Sequence, residues 1–161
     1  MACVFVSIGS NIDKQKNIKA CLQALSDRFS ELLLSPIYES EAVGFSGDNF
    51  YNLVARFTTQ LTVGELNATL KTIEDEHGRE RTGPKFSGRT LDIDILTYDD
   101  LVGDVDGVSL PRDEITKNAF VLLPMQDIAA DTLHPELKVS YGRLWFFYEK
   151  DKQKLWQVAL G

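Results

Sequence analysis

Between Ala2 and Tyr98 the hydrophobic period of the chain changes twice from two to the helical value and back, which restricts the fold more than any single residue does. Val4, Val6 and Ile8 alternate with Cys3, Phe5 and Ser7, so Ala2–Ile8 reads as a strand. Ile18, Cys21, Leu22, Leu25 and Phe29 then recur at helical spacing and predict an amphipathic helix over Lys14–Arg28. Leu32–Ser40 reads as a second strand, with Pro36 marking an edge or a bulge. Glu41–Asn49, with Gly44 and Gly47, reads as a loop, and Phe50–Thr59 as a third strand. Thr62-Val63-Gly64-Glu65 has the form of a capping box. The helix it opens carries Leu66, Leu70, Ile73 and His77, and Gly78 marks its end. Arg79–Thr90, with Gly83, Pro84 and Gly88, is a second loop, and Leu91–Tyr98 a fourth strand.

Strand, helix, strand, strand, helix, strand is the order of a split, ferredoxin-like βαββαβ sandwich, an α+β fold whose antiparallel sheet carries the helices on one face. A C-terminal extension follows. Leu101–Leu110 suggests a hairpin with turns near Gly103 and Gly107, and Phe120–Ala129 suggests a helix. Leu144, Trp145, Phe146, Phe147, Tyr148 and Trp156 suggest a short helix and a last strand that carry aromatic rings into the core. The 161 residues contain no repeat, low-complexity tract or linker and read as one domain over 1–161. No basic stretch leads into a long apolar region at the N-terminus, and no run approaches the ~18 apolar residues of a membrane span. A cytoplasmic protein is therefore expected, with no membrane partner and with Cys3 and Cys21 as buried free thiols. No oligomerisation seam is visible, so a monomer is expected.

A net charge of −7 argues against a general nucleic-acid binder, which needs a basic footprint. Against that acidic background, Arg79, Arg81, Lys85 and Arg89 gather in one glycine-bearing loop with Glu80 as its only anion. Such a local reversal of charge suits a polyanionic small ligand. The loop leads into Leu91-Asp92-Ile93-Asp94-Ile95-Leu96. On a strand Asp92 and Asp94 share a face about 6.6 Å apart, at ~3.3 Å per residue, while Leu91, Ile93 and Ile95 turn inward. Carboxylates so placed can hold Mg²⁺ together with substrate phosphates, and a pair of them can serve two ions. A solvated edge-strand face reads the same way when the pair is taken alone. Beside the basic loop it reads as a phosphate clamp, with guanidinium groups binding the oxygens that the metal does not. Gly9-Ser10-Asn11 follows the first strand and precedes the helix; it is not a P-loop, since the lysine spacing is missing, and taken alone it reads as an ordinary strand–helix turn. Phe50 and Asn52 share a strand face, where a ring and a carboxamide could stack on and hydrogen-bond a flat heterocycle, or serve core and turn. His77 at a helix end and His134 before Pro135 suggest no catalytic role.

Taken in order, Ile8-Gly9-Ser10-Asn11, Tyr38 with the loop after it, Asn52, Ile73-Glu74, His77-Gly78-Arg79-Glu80-Arg81, Gly88-Arg89-Thr90-Leu91-Asp92-Ile93-Asp94-Ile95-Leu96, Leu110-Pro111 and Asn118 to Pro124 resemble the 6-hydroxymethyl-7,8-dihydropterin pyrophosphokinase family. The resemblance spans roughly residues 2–130. It implies a ferredoxin-like fold and transfer of pyrophosphate from Mg-ATP, the co-substrate, to the hydroxymethyl group of a dihydropterin, with release of AMP. It implies that Asp92 and Asp94 bridge two Mg²⁺ and that Arg79 and Arg89 hold phosphates, with Arg81 and Lys85 assisting. Glu74 would sit beside the nucleotide. Phe50 and Phe120 would sandwich the pterin, and Asn52 with backbone groups around Ser40–Val43 would read its polar edge. The chain departs from the family pattern after Pro111, where Arg112 and Asp113 stand for His-Tyr. It departs again at Asn118, which stands for an arginine, and at Phe86, which stands for a tryptophan. Arg112 can replace the histidine as a phosphate or ribose donor, whereas Asp113 near a polyphosphate is unfavourable unless it points to solvent or metal. Two other readings fit these residues: a non-catalytic pterin-binding relative with a degraded nucleotide site, and a ferredoxin-like interaction module.

Overall fold

The first strand, β1 (Ala2–Ser10), is the axis on which the rest of the sheet is aligned. The chain continues through α1 (Lys14–Arg28), β2 (Ser30–Leu34), β3 (Ile37–Ser40), β4 (Phe50–Thr59), α2 (Val63–Glu76) and β5 (Asp92–Tyr98). The computed structural model describes residues 1–41, 48–77 and 91–160. Val43, Arg79, Arg81, Lys85, Phe86 and Arg89 lie outside the described residues, as do the glycines of both loops.

β1 pairs antiparallel with β4, from Ala2↔Thr59 to Ser10↔Tyr51, and on its other side with β5, from Val4↔Tyr98 to Gly9↔Asp92. β3 and β2 both pair with β4, so the strands run β5-β1-β4 and then β3. With α1 and α2 as crossovers this is the expected ferredoxin-like α+β arrangement. The capping box is formed: Thr62 Oγ1 accepts from Glu65 N at 3.2 Å, and Glu65 Oε1 accepts from Thr62 N at 2.9 Å.

Several expectations need correction. Leu32–Ser40 is not one strand. Ser35 breaks it, because its hydroxyl accepts from Val54 N at 2.9 Å and donates to Pro36 O at 2.8 Å, and Pro36 has no N–H for the ladder. Nor do the helices occupy one face only. The residues between β5 and the C-terminus add a hairpin of β6 (Gly103–Val105) and β7 (Val108–Leu110), then α3 (Glu114–Lys117), α4 (Ala119–Ala129), α5 (Tyr141–Phe146) and β8 (Leu155–Val158). Of the two glycines expected in hairpin turns, Gly107 turns beside Asp106, both at positive φ (84° and 51°), while Gly103 opens β6.

One core, under α1 and α2, gathers Val4, Val6, Ile8, Leu53, Ala55, Phe57, Leu66, Leu70, Ile93 and Ile95. A second, on the opposite sheet face, gathers Phe5, Val54 and Leu96 from the strands with Ile115, Leu122 and Met125. The period of two explains this split, since odd and even positions of β1, β4 and β5 feed different cores. A further correction concerns the aromatic tail. Tyr141 is buried in the second core with Trp145 and Tyr148 against it, but Phe146 (74% exposed), Phe147 (69%) and Trp156 (42%) face outward. β8 pairs with β3, from Ile37↔Val158 to Ser40↔Leu155, and covers the sheet edge there. Cys21 is buried and its thiol is pushed up to about 12 by burial, whereas Cys3 is only half-buried; both are free.

Candidate active site

Cross-strand pairing places the candidate residues in a row. Asp92 of β5 is opposite Gly9 of β1, Gly9 is opposite Asn52 of β4, and Asn52 is opposite Tyr38 of β3. Paired residues project to the same face. One step along the strands in one direction, Asp94 is opposite Ser7, level with Val54; one step in the other direction, Phe50 is opposite Ser40. All of these share the face of the second core, whose apolar cluster begins at Val54, Phe5 and Leu96 and fills the far half of that face. The near half therefore presents two carboxylates at one end and Asn52, Ser40 and Phe50 at the other. Two strand spacings, about 10 Å, separate the ends. Gly9 between them contributes no side chain, and a Cβ there would stand 2.8 Å from Asn52 Oδ1. The glycine thus leaves room for a carboxamide held by Ser40, whose Oγ lies 3.4 Å from Asn52 Nδ2.

Asp92 and Asp94 are both partly exposed. Burial, and then the charge of Asp92, push the Asp94 carboxyl up to about 7, while Arg112 opposes the shift. A divalent cation beside Asp94 would favour its ionised form and oppose that shift. The oxygen donors suit Mg²⁺, which is commonly held by one or two carboxylates and completed by substrate phosphates. No group of three His, Cys, Asp or Glu side chains that could hold a metal ion gathers among the described residues.

Glu74, expected beside the nucleotide, is engaged with the backbone of β5. It is 3% exposed, and its Oε2 accepts from Ile93 N at 2.6 Å. β5 is the edge strand of the sheet, and Glu74 satisfies the amide between Asp92 and Asp94, which ties that stretch of backbone to α2. Arg112 does join the carboxylates: its Nη2 lies 3.7 Å from Asp94 Oδ2 and 2.7 Å from Glu114 Oε1. Asp113 turns to solvent and pairs with Lys117 Nζ at 2.8 Å, which removes the difficulty it posed beside a polyphosphate. Asn118 is tied to the tail, its Oδ1 accepting from Gln153 Nε2 at 3.2 Å. Gln153 Oε1 in turn accepts from Ala119 N at 2.8 Å, next to Phe120, which rests partly buried on the second core. Sequence reasoning missed Glu114 and Gln153. Glu114 had a signal, an anion two residues beyond Arg112, whereas Gln153 had none. His134 is structural, its Nδ1 accepting from Glu136 N and Leu137 N at 3.2 and 3.1 Å.

The model of the 7,8-dihydro-6-hydroxymethylpterin-pyrophosphokinase family matches residues 5–130. The chain is 36% identical over 145 residues to the 2-amino-4-hydroxy-6-hydroxymethyldihydropteridine pyrophosphokinase of Pseudomonas aeruginosa, covering 87% of this chain and 85% of that one. It is 34% identical over 137 residues to the enzyme of the same name from Aquifex aeolicus, covering 84% and 85%. The folic acid synthesis protein of Dictyostelium discoideum is 34% identical over 88% of this chain, which spans only 22% of that protein. Among solved structures, the Plasmodium falciparum HPPK-DHPS with pterin and p-hydroxybenzoate superposes with a TM-score of 0.72 at 14% identity. That match covers 90% of this chain and 42% of the Plasmodium chain, and at such identity it speaks to the fold alone.

Proposed function

Since the chain belongs to the 7,8-dihydro-6-hydroxymethylpterin-pyrophosphokinase family, we propose that it transfers pyrophosphate from ATP to 6-hydroxymethyl-7,8-dihydropterin in folate synthesis. The observation that carries the reading is the row Asp92, Gly9, Asn52: an anionic end and a heterocycle-reading end about 10 Å apart, with no side chain between them. The pterin lies at the Asn52 end. Asn52 and backbone groups around Ser40 and Val43 read its polar edge, and Phe50 and Phe120 stack on its ring. Its hydroxymethyl group then points along the row over Gly9.

The polyphosphate lies at the Asp92 and Asp94 end. Arg79, Arg81, Lys85 and Arg89 of the basic loop bind its oxygens, Arg112 adds a further guanidinium, and Glu74 steadies the strand beneath. Asp92 and Asp94 would hold two Mg²⁺, whose charge would neutralise phosphate oxygens. The hydroxymethyl oxygen attacks the β-phosphorus, and a new O–P bond forms. The bond from that phosphorus to the oxygen shared with the α-phosphorus breaks, AMP departs, and the hydroxyl proton passes to solvent. Such transfer asks for positioning and charge neutralisation more than for covalent chemistry by the protein. A monomer acting in the cytoplasm is part of the same proposal.

The test is AMP release from Mg-ATP with 6-hydroxymethyl-7,8-dihydropterin. AMP is expected only when protein, pterin and Mg²⁺ are all present. Asp92→Ala and Asp94→Ala are expected to abolish it with the fold intact. Full turnover in both variants removes the metal assignment, and no AMP from the unaltered chain removes the enzyme reading.

A further inference from the structure

Arg112 is placed to serve two partners in turn. Its backbone N–H donates to Leu96 O at 2.8 Å, which docks the residue against β5. From there the side chain reaches back to Asp94, two residues along the same strand face. Glu114 Oε1 holds the guanidinium through Nε at 2.9 Å and Nη2 at 2.7 Å. The 3.7 Å contact to Asp94 is an ion pair without a hydrogen bond. Glu114 is thus the anchor, and Asp94 is the group that feels the charge.

A fixed guanidinium beside a carboxylate already supplies part of the field that a divalent cation would supply. A cation arriving alone is repelled by Arg112 and meets a carboxylate that is partly neutralised. A cation arriving with a polyphosphate brings negative oxygens, which a guanidinium binds strongly and bidentately. The same charge therefore disfavours the free ion and favours the ion–nucleotide complex.

We propose that Arg112, positioned by Glu114, is the resident counter-ion of Asp94 and makes this site select the metal–nucleotide complex over the free divalent cation. The inference rests on the proposed metal role of Asp94 and adds Glu114 as a positioning residue.

Calorimetric titration with Mn²⁺ alone, and separately with a non-hydrolysable ATP analogue in excess Mg²⁺, tests it on the full chain. Arg112→Gln is expected to bind free Mn²⁺ about three- to fivefold more tightly, as fits a half-exposed ion pair. The same variant is expected to bind the nucleotide analogue about tenfold less tightly, as fits one lost charged hydrogen bond. Lys117→Gln removes an equal charge from the exposed pair with Asp113 and is expected to change neither. Asp94→Asn is expected to weaken Mn²⁺ binding, which locates the ion. Unchanged or weaker Mn²⁺ binding in Arg112→Gln overturns the proposal, as does an equal gain in Lys117→Gln. AMP release by the unaltered chain is scored separately, so a failed titration with intact turnover removes only this inference.

Discussion

At Gly9 a methyl group would stand 2.8 Å from Asn52 Oδ1, and the atom in the way belongs to the carboxamide proposed to read the pterin. Gly9→Ala is therefore expected to rotate the Asn52 carboxamide away from Ser40 and to weaken pterin binding about tenfold, the worth of one or two hydrogen bonds. Fluorescence titration with the pterin measures this, and unchanged affinity would place Asn52 outside pterin recognition. Asp92 and Asp94 were legible in the sequence because alternation alone puts them on one face, and the structure keeps them there beside buried Ile93 and Ile95. The setting of Glu74 was not legible. The helical period puts it on the inner face of α2, but nothing in the pattern says that an edge amide of β5 needs a carboxylate. Arg112 and Asp113 are adjacent, and only three-dimensional placement separates them, one toward Asp94 and the other toward Lys117.

Among the elements, α4 begins without a cap of its own, for Asn118 makes no capping hydrogen bond with its side chain. Gln153 supplies one from the tail by accepting from Ala119 N, while β8 beyond it pairs with β3 as far as Ser40↔Leu155. The tail thus links the start of α4, which carries Phe120, to the strand that carries Ser40. Gln153→Ala is expected to cost about 1 kcal/mol of stability, as cap losses do, and also to raise the KM for pterin with little change in that for ATP. Gln153→Glu keeps an acceptor at a helix N-terminus and is expected to restore pterin affinity. Thr62→Ala, which opens the capping box of α2, is the control: a similar thermal shift with no change in either KM. A pterin KM that moves equally in both variants would reduce Gln153 to a stabilising role. The regular elements were legible because local period and capping chemistry specify them; α1 runs over Lys14–Arg28 and β4 over Phe50–Thr59, as read. The break at Ser35 and the tail contacts were not, since both depend on partners far along the chain.

In the whole molecule, the sheet separates what holds the fold from what the proposal makes chemical. Val6, Ile8, Ile93 and Ile95 point into the core under α1 and α2, whereas Ser7, Asp92 and Asp94, with Gly9 beside them, lie on the opposite face, that of the candidate site. A one-residue slip of β5 would exchange the two sets, so the apolar core fixes the register on which the carboxylates depend. Damage to the helix layer that leaves the register intact should then cost stability without cost to chemistry. Leu70, fully buried on α2, tests this. Leu70→Ala is expected to lose about 2–5 kcal/mol through lost burial and the cavity left behind. In a chain of this size each kcal/mol lowers Tm by roughly 2–4 °C. Well below that Tm the folded variant is expected to keep kcat and both KM values within about twofold, because side chains at period two on β5 do not transmit a void on one face into a displacement on the other. Calorimetry together with AMP-release kinetics at low temperature checks both halves. A large fall in kcat with the protein still folded would mean that the strand carrying Asp92 and Asp94 yields when α2 does, and that Glu74, which ties the two together, transmits the change.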